Sequence, residues 1–92
     1  MDQKLQTLIK LASVLNYTKT AEELSLTQPA VTHHIKQLES EFNLKIFRRS
    51  GKELVITPEG ELLLKYAYKV QGLENSLYKE LADKKANKQR FT

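Results

Sequence analysis

The side chains best suited to specific recognition lie in one short segment, where Gln28 and Pro29 are followed by Thr32, His33 and Lys36. If this segment is helical, a rotation of about 100° per residue places all five within about 140° of one another, on one face. Glutamine can pair bidentately with adenine, lysine with guanine, and a proline ring or a threonine methyl can contact the methyl of thymine. Because a DNA major groove admits a helix, this face is suited to reading base edges. An ordinary solvated helix face is the alternative interpretation.

The opposite face of this segment is apolar, since Val31, Ile35 and Leu38 recur at steps of four and three residues. That spacing is typical of a buried helix stripe. His34 falls on the flank of the stripe and is expected to be a partly buried packing residue. Two adjacent histidines cannot both point at one metal ion, and no further ligand stands at a suitable spacing, so His33 and His34 do not predict a metal site.

A cluster of basic residues follows, around a predicted β-hairpin. Residues 45–49 and 53–56 are β-prone runs, and the connection between them, residues 50–52, contains a glycine. Such a three-residue connection indicates a hairpin. Arg49 and Lys52 near its tip are candidate contacts to a DNA backbone or to a minor groove. The alternative is a surface hairpin that its charges keep soluble.

Three predicted helices position the polar face of residues 28–36 and the hairpin. Apolar residues at three- and four-residue steps predict a first helix from Asp2 to about Leu15. Thr18 is placed to cap a second helix over Lys19–Leu24, and Thr27 to cap a third from Gln28 to about Phe42. Two short helices joined this tightly form a helix-turn-helix, and the hairpin adds a wing to it.

A long helix closes the chain. Thr57 as its cap and Pro58 at its first position predict a helix to about Lys88. A helix of about 30 residues is about 45 Å long, more than a domain of this size can cover. Part of its apolar stripe is therefore expected to dimerise with a second chain, while other turns pack onto the first helix. The stripe consists of Leu63, Tyr66, Val70, Leu73, Leu77 and Leu81.

The predicted organisation has two parts. Residues 1–57 form the winged helix-turn-helix domain, and residues 58–92 form a linker or dimerisation helix with a polar tail. The segment 83–90 is highly polar and is expected to fray.

The length and composition of the chain exclude several classes of function. A chain of 92 residues has room for one small domain, which excludes a two-domain enzyme. The absence of cysteine excludes disulfides, thiolate zinc sites and a cysteine nucleophile. No nucleophile stands beside a base and an orienting carboxylate, and there is no glycine-rich phosphate loop, so we predict no enzymatic activity and no catalytic residue. Without a secretory signal or a membrane span, the expected location is the cytoplasm, at the nucleoid.

The surplus of positive charge lies in the middle of the chain. The whole chain has 15 basic and 11 acidic residues, a net charge of +4. Residues 27–52 hold five basic and two acidic residues, so this third carries +3 of the total. A polyanionic partner fits this distribution, although a solvated face would also produce it.

Four segments of the chain resemble the amino-terminal region of LysR-type transcriptional regulators: Tyr17–Leu24, Thr27–Glu39, Leu44–Arg49 and Thr57–Gly60. The match extends from Leu5 to Ala67. The resemblance implies a mainly α fold, a winged helix-turn-helix of three helices and a two-stranded hairpin wing. A long helix through which two chains dimerise would follow it.

The resemblance also implies double-stranded DNA binding as a homodimer, at promoters with an interrupted dyad, to activate or repress transcription. A tetramer is a further expectation for a full-length protein. A small-molecule co-inducer is expected only with a carboxy-terminal domain that these residues do not include, so no cofactor and no membrane partner are expected here. The residues that the resemblance assigns to DNA are Thr27, Gln28, Pro29, Thr32, His33, Lys36, Arg49 and Lys52.

Three positions depart from the family pattern. His33 stands where arginine is more common, which is expected to weaken that contact and make it sensitive to pH. Asn43 replaces the usual glycine, and asparagine accepts a left-handed backbone at small cost. Thr20 stands where alanine is usual, with no function assigned. A winged-helix module that docks other proteins and dimerises through the long helix is the alternative function.

Overall fold

The computed structural model describes residues 1–90, and the side chains of residues 1–87. It confirms the predicted mainly helical fold, a winged helix-turn-helix followed by a long helix. In chain order the elements are α1 (Gln3–Val14), α2 (Tyr17–Leu24), α3 (Gln28–Phe42), β1 (Phe47–Ser50), β2 (Glu53–Ile56) and α4 (Pro58–Arg90).

The long helix α4 has 33 residues and continues through Arg90. It therefore includes the polar segment 83–90, for which fraying was predicted, as regular helix. The last two residues of the predicted second part, 91 and 92, lie outside the described residues. No helix among residues 1–90 is long and apolar enough to cross a membrane.

The start of α2 corrects one prediction. The Oδ1 atom of Asn16 accepts a hydrogen bond from the backbone N–H of Lys19 at 2.8 Å. Asn16 has an extended backbone, with φ −149° and ψ 119°, so Asn16 is the N-cap and the helix begins at Tyr17. The prediction that Thr18 caps this helix was wrong, because asparagine two residues earlier is a stronger N-cap than threonine. Thr27 caps α3 as predicted, accepting from the N–H of Ala30 at 3.2 Å.

The first three helices all end in a left-handed residue. Leu15, Ser25 and Asn43 have φ values of 57°, 56° and 52°. The prediction for Asn43 is confirmed, and its N–H bonds to the carbonyl of Glu39. These caps turn the chain sharply, which keeps the helix-turn-helix tight.

The wing is a two-stranded antiparallel hairpin with Phe47 opposite Ile56 and Ser50 opposite Glu53. Its connection is two residues long, Gly51 and Lys52, where three were predicted, because Ser50 still pairs with β2. Gly51 has a φ of +62°, a conformation that glycine adopts freely. The first strand begins at Phe47 and not at residue 45, since residues 45 and 46 bond to α3 and to Thr57 instead.

One hydrophobic core joins the helices to the base of the wing. The predicted stripe of α3 is confirmed, since Val31, Ile35 and Leu38 are all buried. The first turns of α4 contribute Leu63 and Ala67 to the same core. Because α4 begins inside the core, its position relative to the winged domain is fixed by packing.

Two fully buried threonines differ in the state of their hydroxyls. The Oγ1 atom of Thr7 is 2.9 Å from Nδ1 of His34, a side chain that is half-buried as predicted. The Oγ1 atom of Thr20 has no hydrogen-bond partner among the side chains and backbone that the structure describes. A buried polar atom without a partner destabilises the folded state.

We expect Thr20→Val to raise the free energy of unfolding by about 1 kcal/mol, because a methyl group replaces the unpaired hydroxyl. The matched control is Thr7→Val, which removes a paired hydroxyl and leaves the His34 ring without its partner. That control is expected to lower the free energy of unfolding by about 1 kcal/mol. Urea denaturation of both variants measures the difference. Equal losses in the two variants would show that the hydroxyl of Thr20 is satisfied.

Candidate nucleic-acid interface

The polar face of α3 is open to solvent as predicted. Gln28, Pro29, His33 and Lys36 are exposed, and Thr32 is half-buried between them. The side-chain amide of Gln28 donates to Oγ1 of Thr32 at 3.4 Å, one turn along the helix. At 3.4 Å this bond is long, and it favours rotamers that direct the amide along the exposed face.

The wing carries its cations on the outside. Arg49 and Lys52 are both exposed, and neither forms an ion pair with any side chain that the structure describes. By contrast, Lys4 and Lys10 of α1 are paired with carboxylates, at 3.6 Å to Glu41 and 3.5 Å to Glu23. The wing cations are therefore available to an anionic partner.

The structure brings three of the predicted residues together from two distant parts of the sequence. Gln28 from α3 and Arg49 and Lys52 from the hairpin line one polar cleft between α2, α3 and the wing. No carboxylate of the described residues lines this polar cleft. Its six polar residues are Asn16, Tyr17, Thr18, Gln28, Arg49 and Lys52.

The other predicted contacts lie further along α3. Thr27 is exposed at the start of the helix, and Lys36 follows Gln28 by about 12 Å along the helix axis. Lys36 lines a separate groove with Asn43 and Lys45. The predicted site is thus a surface that runs along α3, with the polar cleft at its amino-terminal end.

Bonds at the base of the wing fix it relative to α3. The carboxylate of Glu39, on α3, accepts from the backbone N–H of Ile46 at 2.9 Å. The hydroxyl of Thr57 donates to the carbonyl of Lys45, while the N–H of Thr57 donates to the carbonyl of Ile46 at 2.8 Å. Because these bonds link α3, the wing and α4, the cations of the wing keep a defined distance from the face of α3. The sequence had not marked Glu39 for this role.

Tyr17 is a residue of the polar cleft that the sequence did not indicate. Burial raises the pKa of its phenol, the carboxylate of Glu39 raises it further, and the guanidinium of Arg49 lowers it. The net direction is upward, so the hydroxyl stays protonated near neutral pH and can donate a hydrogen bond. The strongest available signal for this position would have been the cap at Asn16, which places Tyr17 at the first turn of α2.

A second surface runs along α4. Tyr66, Leu73, Leu77 and Leu81 are 49%, 72%, 52% and 48% exposed, which is unusual for large apolar side chains at helical spacing. The ring of Tyr66 lies 6.2 Å from that of Phe42, which is itself 41% exposed.

The other two residues of the predicted stripe pack within their own chain. Leu63 is only 5% exposed and belongs to the hydrophobic core. Val70 is partly buried against that core. Of the six residues predicted for dimerisation, the four exposed ones are therefore free to meet a partner.

Comparison with known proteins agrees with this geometry. The model of the lysR family of bacterial regulatory helix-turn-helix proteins matches residues 3–61. The transcriptional regulator CitR of Bacillus subtilis is 47% identical over 79 residues, which cover 84% of this chain and 27% of CitR. The E. coli activator of the glycine cleavage system is 51% identical over 47 residues, 51% of this chain and 15% of the activator. The chain thus spans about a quarter or less of the length of these relatives.

Two solved structures have a fold similar to most of this chain. The BenM DNA-binding domain in its complex with catB site 1 DNA has a TM-score of 0.78 and 25% identity, with 86% of each chain covered. Vibrio fischeri DarR in complex with DNA has a TM-score of 0.80 and 27% identity, covering 90% of this chain and 29% of DarR. The family model covers well over half of the chain, and the relatives are transcriptional regulators rather than enzymes. The chain belongs to the LysR family of bacterial helix-turn-helix regulatory proteins.

Proposed function

We propose that two copies of this chain bind a specific sequence of double-stranded DNA as the DNA-binding part of a transcriptional regulator. The observation that carries this proposal is the polar cleft, where Gln28 of α3 meets two unpaired cations of the wing on one side of the molecule. CitR is a transcriptional regulator, and the BenM and DarR structures of the same fold are complexes with DNA. Both facts support the proposal.

In this arrangement α3 enters the major groove and the wing lies against the adjacent backbone or minor groove. Phosphate contacts from cations supply affinity for any duplex, while base contacts from α3 supply selectivity. The proposed contact residues are Thr27, Gln28, Pro29, Thr32, His33, Lys36, Arg49 and Lys52.

The exposed stripe of α4 supports a homodimer. A single chain leaves Leu73 and Leu77 in water, whereas an antiparallel or parallel pairing of two such helices would bury both. Two copies present two reading helices, and an interrupted dyad in the DNA would match this symmetry. The chain spans only 27% of CitR, and we propose effector binding and tetramer formation only for a regulator of that full length.

The direct test of DNA binding is fluorescence anisotropy of a labelled random-sequence duplex, titrated with the folded 92-residue chain at two salt concentrations. We expect binding at low salt that weakens steeply as salt rises, because cations of the protein displace condensed counterions from DNA. A folded dimer that binds no duplex at low salt would overturn the proposal. That result would favour the alternative, a winged-helix module that docks other proteins.

Removal of a cation from the proposed interface is expected to change the salt dependence. For Lys36→Ala or Arg49→Ala, we expect weaker binding to every duplex and a slope of log K against log salt that is shallower by about 0.9. The control is Lys10→Ala, which removes the same charge from an ion pair with Glu23. The same titration, repeated over several salt concentrations, gives all three slopes. Equal slopes for the control and for Arg49→Ala would contradict the assignment.

Disruption of the α4 stripe is expected to separate the two copies. We expect Leu73→Glu to raise the dimer dissociation constant by about 100-fold or more, because burial of a leucine contributes about 1.5–3 kcal/mol and the dimer loses one leucine from each chain. Asn75→Glu is the control, since it places the same charge on an exposed position outside the stripe. Sedimentation equilibrium measures both. A wild-type chain that stays monomeric at high concentration would remove the homodimer from the proposal.

A further inference from the structure

The polar cleft has the chemical character of an anion site. Arg49 and Lys52 contribute two positive charges, and the remaining polar residues that line it are a phenol, a hydroxyl and two amides. The carboxylate of Glu39, which accepts from the backbone N–H of Ile46, lies outside the lining of the cleft. The positive charge of the cleft is therefore not neutralised by the residues that form it.

The side chain of Tyr17 combines an apolar ring with a polar hydroxyl. Its side chain packs against the hydrophobic core, and the residue is half-buried. Within the part of the chain that the structure describes, its hydroxyl makes no hydrogen bond to protein. The guanidinium of Arg49 lowers the pKa of this phenol, so the two groups are close enough to interact electrostatically. A tyrosine held in this way presents a rigid donor with little rotamer freedom left to lose.

The position of the cleft determines which part of a duplex would face it. It lies between the first turn of α3 and the tip of the wing. When α3 occupies a major groove and the wing lies at the neighbouring minor groove, the strand between them is a phosphodiester backbone. Cations and hydrogen-bond donors with no carboxylate among them match phosphate oxygens, whereas base edges offer a mixture of donors and acceptors.

We infer that the polar cleft receives one backbone phosphate of the bound duplex, and that the Tyr17 hydroxyl donates to it beside Arg49 and Lys52. This inference rests on the proposed function and assigns Tyr17, an uncharged residue of α2, to the DNA contact. Tyr17 then helps to set the register of the protein on DNA, because a rigid hydrogen-bond donor fixes the position of the wing and α3 along the backbone.

The first arm of the test is Tyr17→Phe, which keeps the ring that packs against the core and removes only the hydroxyl. We expect binding to both specific and random duplexes to weaken about tenfold, the usual effect of losing a hydrogen bond to a charged group. The salt slope should stay unchanged, since no charge is lost, whereas Arg49→Ala should reduce it. Circular dichroism and thermal denaturation of the variant establish that it is folded.

The second arm places single methylphosphonates along the duplex, each of which neutralises one phosphate. At one position in each half-site, we expect methylphosphonate and Tyr17→Phe to be non-additive, because both remove the same contact. Binding by Tyr17→Phe that equals the wild type on all duplexes would overturn the inference, as would full additivity at every position. In either case the wild-type chain still binds DNA, so failure of the inference is distinct from failure of the proposed function. If the wild type binds no duplex, both fall.

Discussion

Gln28→Ala is expected to lower the preference for the specific site over random duplex by about 5- to 150-fold, or about 1–3 kcal/mol. The reason is geometric. Gln28 is exposed at the first turn of α3, and its amide is steadied by the 3.4 Å hydrogen bond to Thr32. An amide held in this position can donate one hydrogen bond to an adenine and accept another from it. The methyl group of alanine can form neither bond. Binding to random duplex depends mainly on cations and is expected to change little.

The measurement is a pair of anisotropy titrations, one with a selected site and one with random duplex, for each variant. Gln37→Ala is the matched control, since it makes the same change at an exposed position of the same helix, about 180° around the axis from Gln28. We expect that control to keep the wild-type preference. If Gln28→Ala weakened both duplexes equally, α3 would not be the element that reads sequence.

Gly60→Ala is expected to lower the free energy of unfolding by about 1–3 kcal/mol, the usual effect of overpacking. A Cβ at Gly60 would clash with the carbonyl oxygen of Ile46 and would lie 2.9 Å from Cγ1 of Ile56. The first of these contacts is with backbone, so the hairpin and α4 must move apart. That movement would also strain the bond from the N–H of Thr57 to the carbonyl of Ile46, which is 2.8 Å long. DNA affinity should fall as well, because the wing loses its position relative to α3.

Gly72→Ala, in the same helix, is expected to raise the free energy of unfolding. A Cβ at Gly72 meets no atom within 4 Å among the described residues, and alanine is the better helix former by about 1 kcal/mol. Urea denaturation should therefore give changes of opposite sign for the two glycines. A Gly60→Ala variant as stable as the wild type would show that the close approach of α4 to the wing is not a constraint.

Much of the fold follows from local rules. The stripe of Val31, Ile35 and Leu38, the cap at Thr27 and the left-handed Asn43 are each fixed by neighbouring residues, and all were predicted. Thr18 was assigned to a capping role that belongs to Asn16, because two good N-cap residues lie two positions apart. Which of the two residues caps α2 depends on where the preceding helix ends.

The site was only partly predictable, for a physical reason. Gln28, Arg49 and Lys52 could be named by residue type and spacing, but their meeting in one cleft depends on bonds made by Glu39 and Thr57 across the fold. The sequence does not single out Tyr17, and only the structure shows that its ring packs against the core while its hydroxyl bonds to no protein atom among the described residues. Likewise Leu63 fits the α4 stripe by periodicity, yet packing places it in the core of its own chain.

The central claim is that two copies of this chain read DNA symmetrically, and selection from a random DNA pool tests it most directly. The folded chain is incubated with random duplexes, bound molecules are amplified, and the enriched sequences are read. We predict an inverted repeat whose half-site centres are separated by about 10–10.5 base pairs or a multiple of that spacing. Enrichment of no sequence, or of a single element without twofold symmetry, would contradict the claim.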